Sequence, residues 1–130
     1  REAVDAQRLV LRSGISGSAV TSYADVELAC LMSENPQAAQ HLVERELGKL
    51  AAPDPALDIV RETLSHYLQN GSNVVQTATE LFVHRNTVRY RLDQAEELVG
   101  HPLTERRTEM DVALRLVAAG VTRDQAGRHP

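Results

Sequence analysis

The sequence predicts an all-α protein, a small bundle of packed helices. Aromatic residues make up only 3% of the 130 residues, so a core has to be built from Leu, Val and Ala, which favours helix packing. Apolar residues also recur at helical spacing, as in Leu57, Val60, Leu64, Tyr67 and Leu68. The third observation is the run N-V-V-Q-T-A-T-E-L-F-V-H-R-N-T-V-R-Y-R-L from Asn73 to Leu92. It sets a small residue, Ala78, in one short apolar segment and Val88 in a second, joined by Phe82, Val83 and His84. Two short helices crossing steeply need a small residue where they touch, apolar residues closing the corner and a polar outer face on the second helix. That pattern is a helix-turn-helix.

Taken in order, Glu2 to Leu11 is amphipathic through Ala3, Ala6, Leu9 and Val10, and Ser13 and Gly14 stop it. Ile15 to Tyr23, rich in Gly, Ser and β-branched residues, reads as a loop with at most one short strand. Helical periodicity returns from Asp25 to Met32. Asn35 is the expected N-cap of a following helix with Pro36 in its first position, running through His41 and Leu47 towards Leu50. Pro53 and Pro55 disfavour helix, which makes 51–56 a linker. The stripe from Leu57 to Leu68 is a helix that ends at Asn70 and Gly71, where glycine takes the left-handed cap. Ser72 or Asn73 caps the next helix, Val74 to Leu81. The helix after the corner covers residues 85–98, with Val88, Leu92, Ala95 and Val99 on one face, and Gly100-His101-Pro102 ends it. Thr104 is expected to cap a last helix from Glu105 to Ala119 that turns Met110, Ala113, Leu114 and Val117 inward. Residues 121–130 read as a flexible tail. Helix-turn-helix proteins often carry glycine at the turn position of Phe82, so Phe82 implies a different turn geometry or a larger buried plug.

Composition excludes several classes. Cys30 is the only cysteine, so there is neither a disulfide framework nor a thiolate cluster for a metal, and a buried small hydrophobe is expected there. No apolar run approaches the ~20 residues of a membrane span and no signal peptide is evident, which reads as cytoplasmic. The start at Arg1 without an initiator Met suggests a piece of a longer protein. His41 and His66 lack a second ligand at metal spacing. The chain also lacks a phosphate loop, a nucleophile with its base and paired carboxylates with a cleft. No catalytic residue, metal or cofactor is therefore expected. The formal net charge of −4 argues against a nucleic-acid partner unless charge is segregated locally.

Such segregation is present. Residues 84–91 offer His84, Arg85, Asn86, Thr87, Arg89, Tyr90 and Arg91 without a carboxylate, a surface suited to the major groove of double-stranded DNA. Asn73 and Thr77, at the start of the preceding helix, are assigned to phosphate. Arg85 and Arg89, one turn apart, match the O6 and N7 acceptors of guanine. Asn86 is assigned to adenine or a phosphate. Tyr90 either touches a phosphate or packs on a neighbouring helix. His84 reads a base or caps the helix, and Thr87 supports the helix start. Arg91, nearer the apolar stripe, contacts a phosphate or pairs with Glu80 or Glu96. The charged pair Glu96 and Glu97, near the end of the helix, should stay clear of phosphates. The acidic net charge leaves open a second reading, a helical protein-interaction or dimerisation module without DNA contact.

The string V-H-R-N-T-V-R-Y-R-L, preceded by T-A-T-E-L and followed by E-E-L-V-G-H-P-L, closely resembles the C-terminal helix-turn-helix of the PucR/CdaR family of bacterial transcriptional regulators. The resemblance runs from Leu57 to Ala119, and the corner is also similar to that of Fis-type domains, which bind DNA as dimers. It implies a Fis-like helix-turn-helix bundle over 57–120, working as a homodimer. It further implies that 1–50 is the helical end of a GGDEF-like middle domain, although no G-G-D-E-F string is present. Members of the family respond to small metabolites through upstream domains, so an effector ligand would act outside this chain.

Overall fold

The computed structural model describes residues 34–121 together with Glu27 and Cys30. The readings made for Glu2–Leu11, for Ile15–Tyr23, for most of Asp25–Met32 and for 122–130 lie outside the described residues. Within residues 34–121, five α-helices follow one another: α1 Pro36–Leu47, α2 Asp58–Gln69, α3 Val74–Leu81, α4 Arg85–Val99 and α5 Arg107–Ala118. Short 3-10 turns occupy Gly48–Ala51 and Pro55–Leu57. No strand occurs among the described residues.

Local chemistry sets most of the boundaries. The Asn35 side chain accepts the Ala38 N–H at 3.3 Å and Pro36 opens α1. Helix α2 closes in a Schellman motif: the Ser72 N–H reaches the Tyr67 carbonyl at 2.8 Å, the Gly71 N–H reaches Leu68 at 3.3 Å, and Gly71 is left-handed. Between the two candidate caps of α3 the structure selects Asn73, whose Oδ1 accepts the Gln76 N–H at 2.9 Å. Gly100, left-handed at φ 86°, ends α4.

Helix α4 lies at the centre, packed on α2, α3, the 48–51 turn and α1, while α1 packs along α5. Its stripe Val88, Leu92, Ala95 and Val99 is buried as the periodicity requires. The same core takes Ala39, Val43, Leu47 and Leu50 from the N-terminal side and Val60, Leu64, Met110, Ala113, Leu114 and Leu116 from α2 and α5. Leu116 is fully buried, and the expected Val117 only half-buried. Cys30 is half-buried against this core. The start of the 51–56 stretch is held down: Ala51 is buried, and the Arg61 guanidinium donates to the carbonyls of Leu50 (2.8 Å) and Ala52 (2.9 Å) while binding the Asp58 carboxylate.

Two expectations are corrected. Thr104 does not cap the last helix, which begins at Arg107 behind a left-handed Arg106 with no side-chain cap. Long-range contacts override the local signal there. Arg106 donates from Nε (2.7 Å) and Nη2 (2.6 Å) to the two carboxylate oxygens of the fully buried Glu46, and the Leu103 N–H goes to the Glu96 carboxylate at 3.0 Å. Arg45 also donates to Glu46 at 3.0 Å. With Arg106 the larger cause, these guanidiniums hold the Glu46 carboxyl below its ordinary value against the opposing effect of burial. Phe82, secondly, neither changes the turn geometry nor plugs the core. It takes the left-handed conformation of a glycine (φ 57°, ψ 42°) at the end of α3 and is 94% exposed. Its N–H reaches Thr79 at 3.3 Å and that of Val83 reaches Ala78 at 3.1 Å, again a Schellman pattern. A side chain in that conformation costs on the order of 1 kcal/mol relative to glycine.

Candidate nucleic-acid interface

The corner is built by α3, the Phe82-Val83-His84 turn and α4. Ala78 is buried where the two helices meet and Val88 is completely buried behind it. His84 is the N-cap of α4, its Nδ1 accepting the Asn86 N–H at 3.0 Å. With Nδ1 accepting at the cap, Nε2 is the ring nitrogen that the cap does not use.

Beyond the cap, the first two turns of α4 present Arg85, Asn86, Arg89 and Tyr90, all exposed. Arg89 donates to the Asn86 amide oxygen at 3.3 Å, a contact between neighbours on the outer face that orients the guanidinium without neutralising it. Tyr90, 68% exposed, is a surface residue and not a packing one. Thr87 is half-buried at the flank of the helix.

Arg91 departs from the expected arrangement. It lies about 200° around the helix from Arg89, half-buried, with Nη1 at 3.4 Å from the Thr63 hydroxyl of α2. Neither Glu80 nor Glu96 is its partner. Glu80 accepts instead from Asn70 (2.9 Å) and His66 (2.8 Å). These bonds, that from Asn70 first, keep the Glu80 carboxyl below its ordinary value. The outward cationic surface therefore has two guanidiniums and not three.

Thr77 is a second correction. It is fully buried, donates its hydroxyl to the Asn73 carbonyl at 2.7 Å, and lies 3.5 Å from the Asn70 amide nitrogen. The small cross-section needed near Ala78 turns this part of α3 inward, so Thr77 supports the cap and offers nothing to a phosphate. Asn73 remains exposed, its side chain committed to the Gln76 N–H.

A carboxylate overlooked in the sequence reading also belongs to the outer face. Asp93 is exposed and lies about 40° around the helix from Arg89. Extending the helical period two residues past Arg91 would have found it. Residues 84–91 carry three arginines and no acid, whereas 92–99 carry Asp93, Glu96 and Glu97 and no base. The face is thus cationic at its N-terminal end and anionic at its C-terminal end. No helix among the described residues is long and apolar enough to cross a membrane.

The helix-turn-helix corner has a counterpart among known protein families. Residues 60–118, which hold most of α2 and all of α3 to α5, match the family model of the PucR C-terminal helix-turn-helix domain. The chain is 31% identical over 103 residues to the transcriptional activator PmfR of Paenarthrobacter nicotinovorans, covering 79% of this chain and 22% of that protein. It is 48% identical over 54 residues to the purine catabolism regulatory protein of Bacillus subtilis (strain 168), covering 42% of this chain and 10% of that one. The chain thus spans less than a quarter of either relative. Among solved structures, a regulator of polyketide synthase expression from Bifidobacterium adolescentis is similar at 28% identity and a TM-score of 0.46, covering 93% of this chain and 50% of that one.

Proposed function

We propose that this chain is the DNA-binding output part of a bacterial transcriptional regulator of the PucR/CdaR type. Helix α4 enters the major groove by its N-terminal end, with Arg85 and Arg89 on guanine edges and Asn86 on an adjacent adenine or phosphate. The observation that carries this reading is the exposed, carboxylate-free first half of α4, set on a buried Val88–Leu92–Ala95–Val99 stripe that fixes its orientation. The match of 60–118 to a helix-turn-helix domain and the regulator names of two relatives support it.

Asn73 approaches a phosphate with the start of α3. His84 Nε2, Tyr90 and Thr87 line the groove wall, and Arg91 contributes only if it leaves Thr63. Two copies of the chain bind a symmetric or repeated site in the cytoplasm, because two arginines per copy are a small readout that a dimer doubles. Residues 1–50 belong to the end of a GGDEF-like middle domain, through which a metabolite bound upstream acts on 57–120. The likeness to PmfR extends over 103 residues, well beyond the helix-turn-helix match, in keeping with a shared upstream region.

The test is fluorescence anisotropy on duplexes selected from a random pool with the unmodified chain. Arg85→Ala with Arg89→Ala is expected to weaken binding at least tenfold, since a bidentate arginine–guanine pair is worth about 1–3 kcal/mol. Unchanged affinity in the double variant overturns the reading.

A further inference from the structure

Phe82 combines two features that folding does not explain. Its backbone sits in the left-handed region, where glycine is the unstrained choice, and its ring is 94% exposed and adds nothing to the core. The other helix-ending turns that use this conformation at Gly71, Gly100 and Gly120 carry glycine. A phenyl ring held in water by a strained turn is therefore placed for something outside the monomer.

Its surroundings indicate what that is. Phe82 stands three residues before Arg85, which puts their Cα atoms no more than about 10 Å apart. The segment from Leu81 to Leu92 contains no acid. The nearest carboxylate along the chain, Glu80, is bound by Asn70 and His66. On the exposed side of α3, Val75 (58% exposed) and Thr79 lie on the line that leads to Phe82, a strip with no charge of its own. An exposed apolar group at the start of an acid-free stretch that carries Arg85 and Arg89 complements a polyanion that also has apolar edges. Duplex DNA is such a ligand, with its deoxyribose faces and thymine methyl groups.

We infer that Phe82 is a contact residue for the same duplex that α4 reads, packing its ring on an apolar edge of a nucleotide at the rim of the recognition surface. This rests on the DNA-binding reading above and extends the interface to the turn itself. The left-handed backbone is what aims the ring outward. An apolar contact displaces no counterion, so it strengthens binding equally at every salt concentration.

The experiment compares the unmodified chain with Phe82→Gly, Phe82→Ala and the Arg85→Ala, Arg89→Ala double variant. Anisotropy is measured across a salt series on a duplex selected by the unmodified chain, alongside thermal melting and sedimentation without DNA. Phe82→Gly is expected to melt at the same or a higher temperature, yet to bind about tenfold more weakly, the scale of losing a large buried apolar contact. The slope of log affinity against log salt should stay that of the unmodified chain. Phe82→Ala should lose affinity in the same way, which removes the added flexibility of glycine as the cause. Unchanged affinity in both Phe82 variants while the arginine variant fails to bind overturns this inference and leaves the DNA-binding reading standing. Unchanged affinity in all of them overturns that reading. A loss of self-association in Phe82→Gly without DNA overturns the inference too, because the ring would then be seated on a second copy.

Discussion

Gly48→Ala tests whether the segment before the helix-turn-helix is braced against α4. Gly48 follows α1 at φ 52° and ψ −128°, a conformation that L side chains rarely adopt. A Cβ built there lies 3.1 Å from the Leu98 carbonyl oxygen and 3.4 Å from that of Val99, both backbone atoms of the last turn of α4 that cannot swing aside. The backbone conformation alone costs about 1–2 kcal/mol in a non-glycine residue, and the crowding adds roughly 1 kcal/mol more. The expected total is about 2–3 kcal/mol, which lowers the melting temperature on the order of 10 °C for a domain of this size. Gly71→Ala is the control: its φ is 63°, but nothing lies within 4 Å of the added methyl, so only the conformational part remains. Both variants are melted by circular dichroism. A Gly48→Ala melt indistinguishable from that of Gly71→Ala removes the close approach from the account, and with it the claim that α1 and α4 form one packed unit at this point.

Two further outcomes follow from the polar contacts. Glu46 is held below its ordinary value of 4.5, so the stability it contributes is present above that value and lost as pH falls through its folded pKa. Glu46→Gln should therefore lower stability near neutral pH by about 1–2 kcal/mol, since it weakens the charge-assisted hydrogen bonds from two half-exposed arginines. Its melting temperature should also decline less than that of the unmodified chain as pH drops below 4.5, a difference read from melts across acidic buffers. Thr77→Val should cost about 1 kcal/mol of stability through the lost hydroxyl bond to Asn73. It should leave the DNA affinity of the folded chain unaltered, whereas a clear loss of affinity would mean that the Thr77 hydroxyl does bond a phosphate.

What was legible in the sequence was what neighbouring residues decide among themselves. Asn35 with Pro36, Asn73, Gly71 and Gly100 each act within a turn of chain, and each stands where the sequence put it. The buried stripe of α4 depends only on helical period and was read correctly. Errors came where distant chain intervened. The start of α5 lies at Arg107 and not at Glu105 because Glu46 and Glu96 reach across the fold to Arg106 and Leu103. Arg91 turned to Thr63 on α2, and Thr77 went inward with the crossing that Ala78 permits. Phe82 shows the opposite failure. The turn position demands a left-handed residue, but side-chain size predicts neither the turn geometry nor burial there: Phe82 takes the glycine conformation and its ring is exposed.

The same distinction resolves the contradiction between a net charge of −4 and a DNA-binding surface. Many of the acids act within the fold. Glu46 is bound by Arg45 and Arg106, Asp58 by Arg61, Glu80 by Asn70 and His66, Glu96 by the Leu103 N–H and Asp111 by Arg115. Arg85 and Arg89 are exposed and stand in no ion pair among the described residues. Net charge governs the long-range field, but contact energy is decided by the groups within a few ångströms of a phosphate or base edge. An acidic body with a cationic tip therefore weakens indiscriminate attachment to DNA while sparing the specific contact, which raises the ratio of specific to non-specific binding. It also sets polarity. On the DNA-binding reading proposed above, the exposed Asp93 and Glu97 disfavour phosphate beside the second half of α4, so an end-on approach with Arg85 first is expected.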